Sequence, residues 1–148
     1  INIGLLTKEI NNMINKLKKI LEPIIGYGIV FIVLIAVISV IAILGGGIMR
    51  LFGFEYTSVK SIIIFFTIVT IVGFPIETLA LSFPKALLSL DKITIKLAKI
   101  LFVILDTLST MLTMSLIDYF MGSVSASDIS IFVISFIIAL LSMKDLNE

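Results

Sequence analysis

There is no cysteine and no histidine anywhere in the 148 residues. Their absence removes disulfides, thiol nucleophiles, imidazole metal sites and imidazole general bases together. Tryptophan is missing as well, which leaves Tyr27, Tyr56 and Tyr119 as the candidate anchors at a membrane–water interface. Charge is scarce, at 14% of residues, and the net charge of +1 conceals a strong segregation of lysines along the chain. Catalytic signatures are equally absent: there is no G-x-S-x-G, no H-E-x-x-H and no phosphate-binding G-x-x-x-x-G-K-[ST]. No enzyme activity, cofactor, metal site or direct nucleic-acid contact is therefore expected. What the chain does have is apolar surface. It is 59% hydrophobic, with a mean hydropathy of +1.26, more than a soluble domain of this size can bury.

The longest uncharged run, Ile24 to Met49, covers more than the ~30 Å hydrocarbon core of a bilayer at about 1.5 Å per residue. Pro23 is expected at its start, where a missing N–H is tolerated, and Gly45, Gly46 and Gly47 are expected to break it. The usable first span is then about 24–44. A signal peptide is excluded by length, since its apolar core is only about 7–15 residues. The chain begins at Ile1 without an initiator Met, so some N-terminal residues are expected to be missing.

Ahead of this span, Met13, Ile14, Leu17, Leu21 and Ile24 recur at three- and four-residue steps, with Lys8, Lys16, Lys18 and Lys19 on the opposite side. The spacing predicts an amphipathic cytoplasmic helix over 1–22, suited either to a membrane surface rich in anionic headgroups or to a docking partner. Residues 23–148 are predicted to form one membrane domain. Its further spans are about 61–81, interrupted by Pro75 and carrying Glu77; about 97–117, containing Asp106; and about 125–143, opened by the helix-start pair Ser127-Asp128. Arg50 to Lys60 reads as a short loop with Phe52, Phe54 and Tyr56 at an interface. The fold expected is an all-α bundle of four transmembrane helices with an N-terminal interfacial helix.

Orientation follows from the basic residues. The N-terminal lysines, then Lys85, Lys92, Lys96 and Lys99, then Lys144 all fall on one side of a four-span arrangement, and only Arg50 and Lys60 fall on the other. By the positive-inside rule both termini are cytoplasmic. Separations of seven, four and three would place Lys85, Lys92, Lys96 and Lys99 on one stripe of a single helix that continues into the third span. Asp106, Thr110 and Thr113 prolong that line. In the second span Lys60, Thr67, Thr70, Glu77 and Thr78 share about one third of the circumference. Two polar stripes adjacent in sequence should face each other or a common cavity. Acids inside a span are functional candidates by default. The alternative for Asp106 is interhelical glue through a hydrogen bond to Thr110 or Thr70, and Glu77 is shallow enough to reach solvent. If functional, titration of Asp106 coupled to Glu77 would alter how the second and third spans pack, and the third helix would carry the change to the cytoplasmic surface.

Several segments in order, Phe54-Glu55-Tyr56-Thr57-Ser58, Gly73-Phe74-Pro75-Ile76-Glu77, Pro84-Lys85-Ala86-Leu87, Leu105-Asp106-Thr107 and Asp118-Tyr119-Phe120-Met121, resemble the YrvL-type family of small regulatory membrane proteins from Gram-positive bacteria. The resemblance covers most of the chain after about Gly26. It implies a protein of the bacterial cytoplasmic membrane that restrains an alternative sigma factor of RNA polymerase, with no cofactor and no catalytic residues. The residues themselves fit such a role: the N-terminal helix and the 83–99 connection are the only sizeable cytoplasmic surfaces, and both are basic, so an acidic soluble partner would be drawn to them. Two other readings stay open, a small ion or solute transporter subunit, which would need oligomerisation or a partner, and an immunity-type envelope-protective protein.

Overall fold

A computed structural model describes residues 2–144. Four helices carry almost all of that length: α1 (Ile3–Arg50), α2 (Val59–Ser89), α3 (Ile95–Phe120) and α4 (Asp128–Ser142). Two-residue strands, β1 (Glu55–Tyr56) and β2 (Val124–Ser125), pair antiparallel, with Glu55 opposite Ser125 and Tyr56 opposite Val124. The all-helical expectation holds. α1, α2 and α3 are each long and apolar enough to cross a membrane, whereas α4 has 15 residues, roughly 22 Å at helical rise.

The described residues divide between Val37 and Ile38 into two compact units. The first is helical from Ile3. Asn2 caps it by accepting the Gly4 N–H on its side chain at 3.2 Å and the Leu5 and Leu6 N–H groups on its carbonyl. Lys8, Lys16, Lys18 and Lys19 are exposed along it. Pro23 lies inside α1 and does not begin it. The ring removes one N–H from the ladder, and the helical turns on either side, amphipathic before Pro23 and apolar after it, supply enough consecutive bonds to carry the helix through.

In the second unit α1 continues past the glycine triplet, which therefore does not end the helix. Ala42, Gly45, Gly46 and Met49 recur at three- and four-residue steps and are buried. A Cβ on Gly45 would lie 2.8 Å from Phe66 Cζ, and one on Gly46 would lie 3.0 Å from Ile62 Cγ2. These two glycines let α1 seat against α2; Gly47 has open space around it. The stop comes later, at Gly53, whose φ is +99°. Phe54 N–H bonds Met49 C=O at 3.1 Å and Gly53 N–H bonds Arg50 C=O at 3.3 Å, a Schellman termination that satisfies the orphan carbonyls.

α2 starts at Ser58, whose side chain accepts the Ser61 N–H, and contains both Pro75 and Pro84. It closes the same way as α1, with Lys92 N–H on Leu87 C=O, Asp91 N–H on Leu88 C=O, and Asp91 in the left-handed region at φ +53°. Thr94 then caps α3 by accepting the Leu97 N–H at 3.4 Å. This turn corrects the single-helix expectation for the basic stripe. Lys85 lies on α2, Lys92 in the turn and Lys96 and Lys99 on α3, so no continuous helix runs from Lys85 into Asp106, and transmission along one is ruled out.

At the opposite end of the α2–α3 hairpin the short ribbon draws the chain together. Asp118 Oδ1 accepts the Ala126 N–H at 2.8 Å, and Ser127 both caps α4 and donates to Phe52 C=O at 2.5 Å. α4 therefore starts beside the end of α1 and runs back along the hairpin. The core fills the space between, with Phe54 and Phe65 ring centroids 5.7 Å apart, Phe65 edge-on to Phe66, and Met114, Ile131 and Ile134 closing it from α3 and α4.

Candidate functional site

Polar side chains converge at two places in the second unit. The first is a half-open cavity of about 460 Å3 between α2, α3 and α4, with Ile41 of α1 at its rim. α2 supplies Thr70 and Glu77, α3 supplies Ser109, Thr110 and Thr113, and α4 supplies Ser142; Phe66, Phe74, Met114 and Leu141 are among the apolar walls. Gly73 faces α3 here, with room for a Cβ in ordinary contact, 4.0 Å from Thr113 Cγ2.

The hydroxyls of this cavity are largely committed to their own helices. Thr70 donates to Phe66 C=O at 2.7 Å, Ser109 to Leu105 C=O at 2.7 Å and Thr113 to Ser109 C=O at 2.9 Å. Such back-bonding uses the hydrogen and leaves the oxygen lone pairs free. Glu77 Oε1 accepts from Ser142 Oγ at 3.4 Å, which ties the end of α4 to α2.

Asp106 lies apart from the cavity lining. It is 0% exposed, and neither carboxyl oxygen has a hydrogen-bond partner. The Thr107 and Ser135 hydroxyls are buried without partners too. Interhelical glue from Asp106 to Thr110 or Thr70 is thus not formed. The structure brings Glu77, Thr70 and Thr110 into one cavity, as the two facing stripes require, and keeps Asp106 separate. Ser109 and Ser142 were not singled out by sequence. The 3.6-residue period from Thr113 and Thr110 marks Ser109, but nothing local marks Ser142, which arrives from α4.

The second place is the turn between α2 and α3. Lys85, Lys92 and Lys96 are exposed there, Lys99 is half-buried, and Leu90 is 65% exposed. The ribbon end differs in charge: it carries Arg50 and Lys60 against Glu55, Asp118 and Asp128. Arg50 is held there by Tyr56, donating to its hydroxyl at 3.3 Å with the guanidinium carbon 5.4 Å from the ring centroid. Among the described residues no group of three acidic, histidine or cysteine side chains is arranged to hold a metal ion.

Comparison with known proteins adds one finding. The family model described as Regulatory protein YrvL matches residues 22–145. No curated protein and no solved structure gives a significant match.

Proposed function

Because the chain belongs to the YrvL regulatory protein family, we propose that it acts as a membrane-embedded restraint on a soluble cytoplasmic partner, an alternative sigma factor being the partner that the resemblance implies. The observation that carries this reading is the α2–α3 turn. α2 ends at Leu90 with Asp91 in the left-handed region, and Thr94 starts α3, so exposed Lys85 on the last turns of α2, Lys92 in the turn and Lys96 on the first turn of α3 gather at the same end as the exposed Leu90. Lysines draw an acidic partner to this end and an apolar side chain contributes to holding it. The exposed lysines of the first unit offer a second basic surface, for anionic lipid or for the same partner.

In this arrangement α1, α2, α3 and α4 each cross the membrane, with both termini and the α2–α3 turn in the cytoplasm. The charge contrast between the two ends of the hairpin supports that orientation. α4 is short for a span, and local thinning or flanking side chains accommodate a mismatch of this size at modest cost. Reversing the turn's charge with Lys85→Glu, Lys92→Glu and Lys96→Glu together is expected to abolish co-purification of the sigma factor and release its transcription. Unchanged co-purification would move the docking surface elsewhere. The second reading, a transporter subunit, is favoured by the Glu77 cavity, because intramembrane acids mark ion paths. Uncoupler-sensitive solute flux in proteoliposomes would support it over the restraint.

A further inference from the structure

We propose that the cavity between α2, α3 and α4 binds the ammonium group of a single-chain, membrane-soluble alkylamine, with Glu77 as its counter-ion. The argument begins with what the lining presents. Glu77 carries the only formal charge in it, and among the described residues no Lys or Arg reaches it. The Ser142 contact is long at 3.4 Å, so most of the carboxylate's acceptor capacity is unused. Thr70, Ser109 and Thr113 have turned their hydrogens to helix carbonyls, so toward the cavity they offer lone pairs. Among the lining hydroxyls Thr110 alone has no hydrogen bond that commits its hydrogen, so the polar surface is predominantly acceptor.

A group that satisfies such a surface brings several donors and a positive charge, and a primary ammonium brings three N–H groups. A carboxylate or a phosphate would meet mostly acceptors and a like charge. That excludes a phospholipid headgroup, whose phosphate accompanies any amine it carries. A bare metal ion fits poorly, because the lining holds one carboxylate among apolar walls and hard cations take six or more oxygen ligands. The volume of about 460 Å3 falls in the range of small-molecule sites, roughly 300–1,000 Å3, and Phe66, Phe74 and Leu141 suit an alkyl chain. The inference goes beyond the regulatory reading and needs no cytoplasmic partner.

The test uses the full chain in phosphatidylcholine nanodiscs and a diazirine-bearing dodecylamine, with photolabelled residues mapped by mass spectrometry. Labelling is expected to saturate, to fall on α2 and α3 residues flanking Glu77, and to be competed by dodecylamine but not by dodecanol or dodecanoate. Glu77→Gln is expected to reduce saturable labelling at least tenfold and Glu77→Asp to retain it. Ile138→Trp, which fills the cavity while leaving Glu77 in place, is expected to abolish it, and serves if the Gln variant fails to fold. Labelling of Glu77→Gln within twofold of the unaltered protein, equal competition by dodecanol, or unsaturable labelling spread along lipid-facing α1 would each overturn the proposal.

Discussion

The seat of α1 against α2 at Gly45 rests on a single missing atom. A Cβ at Gly45 would lie 2.8 Å from the Phe66 ring, while at Gly47 it would meet nothing within 4 Å. Gly45→Ala is therefore expected to lower the unfolding free energy by about 1–3 kcal/mol, the usual cost of overpacking. Gly47→Ala is expected to raise it by about 0.5–1 kcal/mol, since glycine inside a helix is disfavoured. Denaturant unfolding in mixed micelles reads both, and equal effects would show that Gly45 is not a contact. Asp106 allows a second comparison. Both its carboxyl oxygens are buried and unpartnered, a condition that costs about 1–3 kcal/mol, so Asp106→Leu is expected to stabilise the fold by an amount of that order. A loss of stability in the same titration would mean that the carboxyl has a partner worth more than the burial. That Asp106 sits inside an apolar helix is legible from its neighbours. That it bonds neither Thr110, one turn on in α3, nor Thr70 of α2 is not, because side-chain rotamers and the rotation of one helix against the other are not specified by helical spacing.

Helix boundaries show the same division between local and non-local causes. Ser127-Asp128 reads as a helix start because the side chain and the N–H it caps lie three residues apart, and the cap forms as expected. Ser127→Ala removes that cap and the bond to Phe52 C=O, and is expected to cost about 1–2 kcal/mol. Spacing alone misleads between Lys85 and Lys99. Those lysines keep helical separations, yet Asp91 adopts φ +53° and Thr94 starts a new helix. The signals were present, since Asp tolerates the left-handed region and Thr is an N-cap residue, but the lysine periodicity hides them. Asp91→Gly is expected to leave stability unchanged or slightly raised, and Asp91→Val to lower it by about 1–2 kcal/mol. Matched thermal unfolding scans separate the two, and an unharmed Val variant would deny the turn. Pro23 and the glycine triplet mislead in the other direction, read as the start and the end of a span although α1 runs through both. The ribbon of β1 and β2 joins segments about seventy residues apart, and no local pattern in two-residue strands announces it.

For the whole molecule, the hairpin separates charge: lysines gather at the α2–α3 turn and acids at the ribbon end. The natural chain has no cysteine, so single-cysteine variants report topology without background. With four crossings, Lys92→Cys and Lys144→Cys are expected to react with a membrane-impermeant maleimide only after the cells are permeabilised, and Lys60→Cys in intact cells. Labelling of Lys144→Cys from outside would mean that α4 does not cross. The all-helical class and the four helical segments, three of them long and apolar enough to cross a membrane, are legible in the sequence, because each follows from composition and period within one segment. The cavity is only half legible, since α4 brings Ser142 to Glu77 across 65 residues. The central proposal is that the α2–α3 turn holds a soluble regulatory partner, and a photo-crosslinking residue placed at Lys92 in living cells tests it most directly, with the same residue at Lys60 as the opposite-face control. A discrete adduct with a sigma factor or another polymerase component at Lys92, and none at Lys60, is the expected result. Adducts at Lys92 made only with lipid and membrane subunits would contradict it.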